Sequence, residues 1–199
     1  MTSPTHETAD VVAEKAALRA WAGERRDGLR AEAADADRKI ADLFLKTWSP
    51  PAGAVVSAFW PIRSELDLRP LIRQLSERGC RIGLPVVVAK RTALVFREWK
   101  PGTDLVAARF GVSVPPDSAP AVEPDWLLVP LLAFDKDGYR LGYGGGFYDI
   151  TLAGLRARKS VFAIGTAYDG QEVNRVPRTP DDARLDAILT DKRVLIMEP

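Results

Sequence analysis

Arg140, the four glycines Gly142, Gly144, Gly145 and Gly146, Tyr148 and Asp149 crowd into a few residues of the stretch LLVPLLAFDKDGYRLGYGGGFYDITL at 127–152. That combination suits phosphate. An apolar strand enters, a glycine-rich turn follows and an amphipathic helix leaves, so unpaired N–H groups at the helix start are available to an anion. Glycine has no Cβ to hold a polyphosphate away, and Arg140 adds a permanent charge. An aspartate in the first helical turn would repel bare polyphosphate, whereas Mg²⁺ shared between carboxylate and phosphate oxygens makes both anions favourable. The alternatives are a tight turn for the glycines and helix-terminal electrostatics for Asp149.

Two common nucleotide motifs are excluded. A Walker A loop needs Lys-Ser/Thr after its last glycine, and here Phe147-Tyr148 follows Gly146. Read from Gly142, the dinucleotide fingerprint becomes G-x-G-x-x-F, without its third glycine.

Other candidates lie far away in sequence. Lys15 and Arg19 are four apart on one helix face, with no acidic residue three or four positions from either, as for a pair awaiting an external anion or a solvated face. Glu65 follows a strand and precedes a helix rich in Leu and Ile, where it could serve helix-terminal electrostatics, with Asp67 as the cap. His6 is the only histidine, which excludes a histidine triad or a His-rich zinc site. Cys80 opens an apolar strand and reads as core, while Asp135 and Asp137 in D-K-D-G read as turn chemistry.

These residues must be positioned by a chain of 199 residues with 46% hydrophobic content, enough for one domain without staples. Residues 1–8 are expected to form a disordered tail and 9–199 a single domain. One cysteine permits no internal disulfide, no stretch reaches membrane-spanning length, and no secretory signal is present, so a cytoplasmic monomer is expected. A net charge of +1, from 28 basic and 27 acidic side chains, gives no footprint for nucleic acid or membrane. Along 15–39 the cations, Arg26 and Arg30 among them, interleave with acids as on a solvated face.

Two helices are expected up to Trp48, broken at Gly28. Strands at 54–59, 81–88 and 94–99, a helix near 68–78, an irregular Pro/Gly-rich segment at 109–125, and strands at 126–132 and 160–167 around a helix at 147–158 follow. Apolar runs separated by helical patterns imply a three-layer α/β/α fold with a mostly parallel or mixed central sheet.

The string RLGYGGGFYD, preceded by VPLLAFD, together with KAALR at 15–19, WPIRSELD at 60–67 and TPDDARLDAILT at 179–190, resembles the 5-formyltetrahydrofolate cyclo-ligases, or methenyltetrahydrofolate synthetases. The resemblance covers 15–190. It implies ATP- and Mg²⁺-dependent closure of 5-formyltetrahydrofolate to 5,10-methenyltetrahydrofolate with release of ADP and phosphate, a step of one-carbon metabolism. It places Lys15, Arg19, Arg140, Leu141, Gly142, Tyr143, Gly144, Gly145, Gly146, Phe147 and Tyr148 at the ATP, with Arg140 and Tyr148 as the catalytic pair. Trp60, Glu65, Tyr143 and Phe147 fall at the folate, and Asp149 and Asp182 at the metal. Two positions depart from the family pattern: Leu68 stands where threonine is common, and Asp181-Asp182 where His-Asp is common. The resemblance therefore allows Asp181 or Asp182 as the second metal ligand, and register selects Asp182. The rival readings are a nucleotide- or RNA-binding module, which balanced charge disfavours for RNA, and a sugar-phosphate or acyl-CoA enzyme on a related fold, which ATP dependence would separate.

Overall fold

The computed structural model describes residues 9–108 and 111–198; the expected tail at 1–8, with His6, lies outside them. Four α-helices occur among the described residues: α1 (Ala9–Glu32), α2 (Ala36–Thr47), α3 (Arg69–Glu77) and α4 (Phe147–Arg156). The strands up to the site are β1 (Val55–Ser57), β2 (Arg81–Val86), β3 (Val95–Trp99), β4 (Val106–Ala107), β5 (Ser113–Val114), β6 (Ala121–Val122) and β7 (Trp126–Pro130). After them come β8 (Ala133–Phe134), β9 (Arg140–Leu141), β10 (Phe162–Ala167), β11 (Ala187–Thr190) and β12 (Val194–Ile196).

Eight strands form one sheet in the order β12-β11-β10-β7-β1-β2-β3-β6. Its centre, from β2 to β11, is parallel, and antiparallel strands flank it on both sides. Successive residues of β7 show why a continuous apolar run was needed. Leu128 joins the core built with Ile40, Phe44, Leu71 and Leu75 from α2 and α3, while Leu127 and Val129 join the opposite core with Leu152 and Leu155 from α4. Helices thus cover both faces, the expected three-layer arrangement. Burying one Leu side chain contributes roughly 1.5–3 kcal/mol, so the central strands anchor everything attached to their ends.

α1 is different. Its buried residues are Lys15, Ala22 and Arg26, two of them cations, so this helix presents charge rather than an apolar stripe to the rest of the protein. It also runs through Gly28, where a break was expected. The helix holds because Arg26 and Arg30 are tied down on either side of that glycine, by Ser64 and by the Glu65 carbonyl, against a propensity cost of only about 1 kcal/mol. The chain turns instead after Glu32.

A second correction concerns the approach to the glycines. Between β7 and the loop the chain inserts the β8-β9 hairpin, closed by Asp135, whose carboxylate accepts the N–H groups of Asp137, Tyr139 and Val176. The turn reading of D-K-D-G holds there. The segment expected to be irregular supplies β5 and the sheet-edge strand β6.

Candidate active site

The parallel strands end on a common edge, and a cavity of about 1420 Å³ opens beyond it. Phe59 and Trp60 follow β1 into its wall, Pro85 and Val87 close β2, and Pro130 closes β7. Ligands of open α/β sheets bind at this edge because loops there can diverge over a fixed scaffold.

The glycine loop forms one wall. Gly144 (φ +96°) and Gly146 (φ +65°) sit in the left-handed region, which only glycine adopts without strain. A side chain at Gly144 would also come 3.3 Å from the Arg19 guanidinium carbon. Arg19 Nε donates to the Gly142 carbonyl at 3.0 Å, so α1 braces the loop from outside. Among the described residues the backbone N–H groups of 142–146 donate to no protein acceptor, and α4 begins at Phe147 without a side-chain cap. Those donors line a cavity and remain available to an anion. Leu141 is buried beneath α1 with Leu132 and Ala133, where it fixes the root of the loop. The Phe147 ring packs so closely on Gly145 that a Cβ there would meet it at 2.5 Å.

Charges in this wall are arranged in opposed pairs. Arg140, 8% exposed, donates to Asp149 Oδ1 and to the Ala183 carbonyl, both at 2.7 Å. Lys15 donates to Asp182 at 2.8 and 3.0 Å, and Asp182 also accepts the Thr179 N–H. Lys15 is therefore matched by the segment 179–182, not left with only its helical neighbours. Tyr148 has a buried hydroxyl without a protein hydrogen-bond partner, a state that costs about 1–3 kcal/mol unless a ligand supplies one. Burial and then the charge of Glu65 push its phenol up, so Tyr148 remains a proton donor.

The opposite wall is built on Glu65, which is 5% exposed. Its Oε1 accepts the Tyr143 hydroxyl at 2.6 Å and its Oε2 the Ile62 N–H at 3.0 Å. Arg26 Nη1 lies 3.8 Å from Oε1 and donates to the Tyr143 oxygen at 2.6 Å, while Arg26 Nε donates to Ser64, whose hydroxyl donates to Asp27. Burial raises the Glu65 carboxyl above its ordinary range, and the Tyr143 and Ile62 donors and Arg26 oppose that rise. Trp60 stands beside it with its ring edge against Trp99, centroids 5.4 Å apart. The N-cap of α3 is Leu68, without a side-chain cap, so the expected cap at Asp67 is not made; Asp67, one residue earlier, accepts the Arg69 N–H at 2.9 Å, and Glu65 takes no part at the helix end.

The family description 5-formyltetrahydrofolate cyclo-ligase matches residues 11–191. The 5-formyltetrahydrofolate cyclo-ligase of Escherichia coli is 36% identical over 177 residues, covering 86% of this chain and 97% of its own. That of Mycolicibacterium smegmatis is 39% identical over 155 residues, 73% of this chain and 77% of its own. The chain belongs to the 5-formyltetrahydrofolate cyclo-ligase family. Family membership makes it a ligase of folate metabolism. The solution structure of Aquifex aeolicus 5,10-methenyltetrahydrofolate synthetase superimposes with a TM-score of 0.75 at 28% identity, covering 93% of both chains. The Mycoplasma pneumoniae synthetase gives 0.72 at 27% identity, covering 89% of this chain and 99% of that one.

For a cyclo-ligase the donor set can be tested against magnesium. No group of three or more His, Cys, Asp or Glu forms a dedicated metal cage among the described residues. Mg²⁺ does not need one, since it takes one or two carboxylates together with substrate phosphates and keeps several waters. Asp149 fits, because only its Oδ1 carries hydrogen bonds among the described residues. Asp182 fits by exchanging the Lys15 ammonium for the metal.

The structure brings every candidate of the sequence reading to this one cavity. It adds Arg26, which was grouped with a solvated face yet is 3% exposed. Its interleaved neighbours carry no sign of that burial; only its spacing from Lys15 and Ala22 along one helix face, at eleven and four residues, pointed there. No helix among the described residues is long and apolar enough to cross a membrane.

Proposed function

We propose that the chain closes 5-formyltetrahydrofolate to 5,10-methenyltetrahydrofolate at the expense of ATP, with magnesium as cofactor. The observation that carries this is a single cavity with a glycine cradle and paired cations on one wall, and a buried carboxylate beside an indole on the other. A formamide carbon is a poor electrophile and its oxygen a very poor leaving group, so the two halves must work on one substrate. The formyl oxygen attacks the γ-phosphorus and ADP departs, leaving a phosphorylated imidate. N10 then attacks the formyl carbon, the carbon–oxygen bond breaks, inorganic phosphate leaves and the N10 proton passes to water.

Phosphoryl transfer asks for position and charge rather than covalent catalysis by the protein. In this reading Gly142 to Gly146 cradle the phosphates, with Lys15, Arg19 and Arg140 supplying charge. Asp149 and Asp182 would hold Mg²⁺, which neutralises phosphate oxygens. Tyr148 donates its proton-bearing hydroxyl to the transferred group, Glu65 receives the pterin donor edge, and Trp60 and Phe147 pack on the folate. Mixing protein, MgATP and 5-formyltetrahydrofolate should raise the near-ultraviolet absorbance of the methenyl product, and omitting ATP or chelating magnesium should abolish the rise. Folded protein that produces no rise overturns the proposal.

A further inference from the structure

Tyr143 sits between Gly142 and Gly144 in the phosphate loop, yet its hydroxyl spends its hydrogen bonds on the other wall. Each Glu65 oxygen thereby holds one protein donor, Oε1 the Tyr143 hydroxyl and Oε2 the Ile62 N–H, with Arg26 3.8 Å away. A ligand that presents N–H donors along the same directions takes the place of one of those partners. Ile62 is backbone within the same tight turn as Glu65, and Arg26 is 3% exposed and held by Ser64. Tyr143 is 43% exposed, and its two glycine neighbours have no side chains to hinder its rotation away. It is the partner that can leave.

We propose that Tyr143 is a positioning residue that stands in for the folate: its hydroxyl occupies the acceptor position on Glu65 that the substrate's N–H edge takes. Folate entry and release of the phosphate loop from Glu65 are then one event. This rests on the reading that Glu65 receives the folate. Arg26 stays behind and continues to balance the carboxylate while the tyrosine is replaced.

The consequence is an affinity that improves when a contact is removed. In calorimetric titrations of 5-formyltetrahydrofolate without nucleotide, Tyr143→Phe should bind about tenfold more tightly than wild type, because the free state no longer holds a competing bond to a charged acceptor. Tyr143→Leu should tighten binding in the same direction, which guards against a folding defect peculiar to one variant. In a Glu65→Ala background, Tyr143→Phe should change nothing. Equal or weaker binding by both tyrosine variants overturns the inference, as does a gain of the same size without Glu65. Wild-type protein that forms methenyl product while Tyr143→Phe gains no affinity overturns this inference alone. Wild-type protein that neither binds the folate nor forms product overturns it together with the reaction beneath it.

Discussion

The two walls of the cavity hold anionic and cationic groups by opposite means. The wall proposed for phosphate is a run of backbone, 142–146, whose N–H groups are left open among the described residues and whose charges are paired in advance, Arg140 with Asp149 and Lys15 with Asp182. The wall proposed for the folate is a buried carboxylate whose partners come from α1, from the turn before α3 and from the loop opposite. An open backbone cradle tolerates exposure because its dipoles need no counter-charge. A buried carboxylate must be surrounded by donors, since leaving it unpaired costs several kcal/mol. The first design is local in sequence and the second is distributed over the fold.

The sharpest break of this contrast is Arg140→Ala. It removes a buried charge from the phosphate wall and leaves Asp149 with one donor fewer. A charge-assisted contact is worth roughly 1.5–3 kcal/mol, so steady-state kinetics should show kcat/KM lower by about tenfold to a hundredfold. Unchanged kinetics would remove Arg140 from the site. Asp149→Asn keeps a group that can accept from Arg140 and Ala183 but lowers the charge facing a metal; calorimetry should find ATP binding about tenfold weaker with magnesium and, with the repulsion of bare polyphosphate relieved, no weaker without it.

On the folate wall the contrast becomes a matter of stability. The folded-state value of Glu65 lies above its ordinary 4.5, so its contribution to stability is fully present below that pH and is lost as pH rises through the raised value. Glu65→Gln is neutral throughout. It should melt above wild type at pH 7 in thermal scans, and the gap should close as the pH falls toward 4.5. A gap independent of pH would mean that the carboxylate is not burdened by its burial. The smallest effect belongs to Gly28→Ala, which lies in neither wall and whose Cβ would meet nothing within 4 Å. It should stabilise α1 by about 0.5–1 kcal/mol, a rise of roughly 1–4 °C, with kinetics unaltered.

The same division explains what the sequence disclosed. Gly144 and Gly146 carry their φ requirement and their neighbours carry the charged and hydroxyl groups, so a contiguous string marked this wall as a candidate site. The layer order followed from apolar runs such as 127–129, buried on both faces. Arg26 was hidden because its partners Ser64 and Tyr143 are 38 and 117 residues away, and an interleaved charge pattern looks the same whether solvent or a buried network faces it. Gly28 misled because propensity costs less than the anchors on either side supply. The hairpin of β8 and β9 and the four-residue β11 were too short to impose a period on the sequence.

The central claim is that one cavity holds two recognition walls with separate duties. Calorimetric titration of MgATP alone and of 5-formyltetrahydrofolate alone into wild type, Arg140→Ala and Glu65→Gln tests it directly. Arg140→Ala should lose about tenfold or more in MgATP affinity while folate affinity stays within about twofold, and Glu65→Gln should do the reverse. Variants that lose both ligands together, or a Glu65→Gln protein that binds the folate as wild type does, would contradict the account.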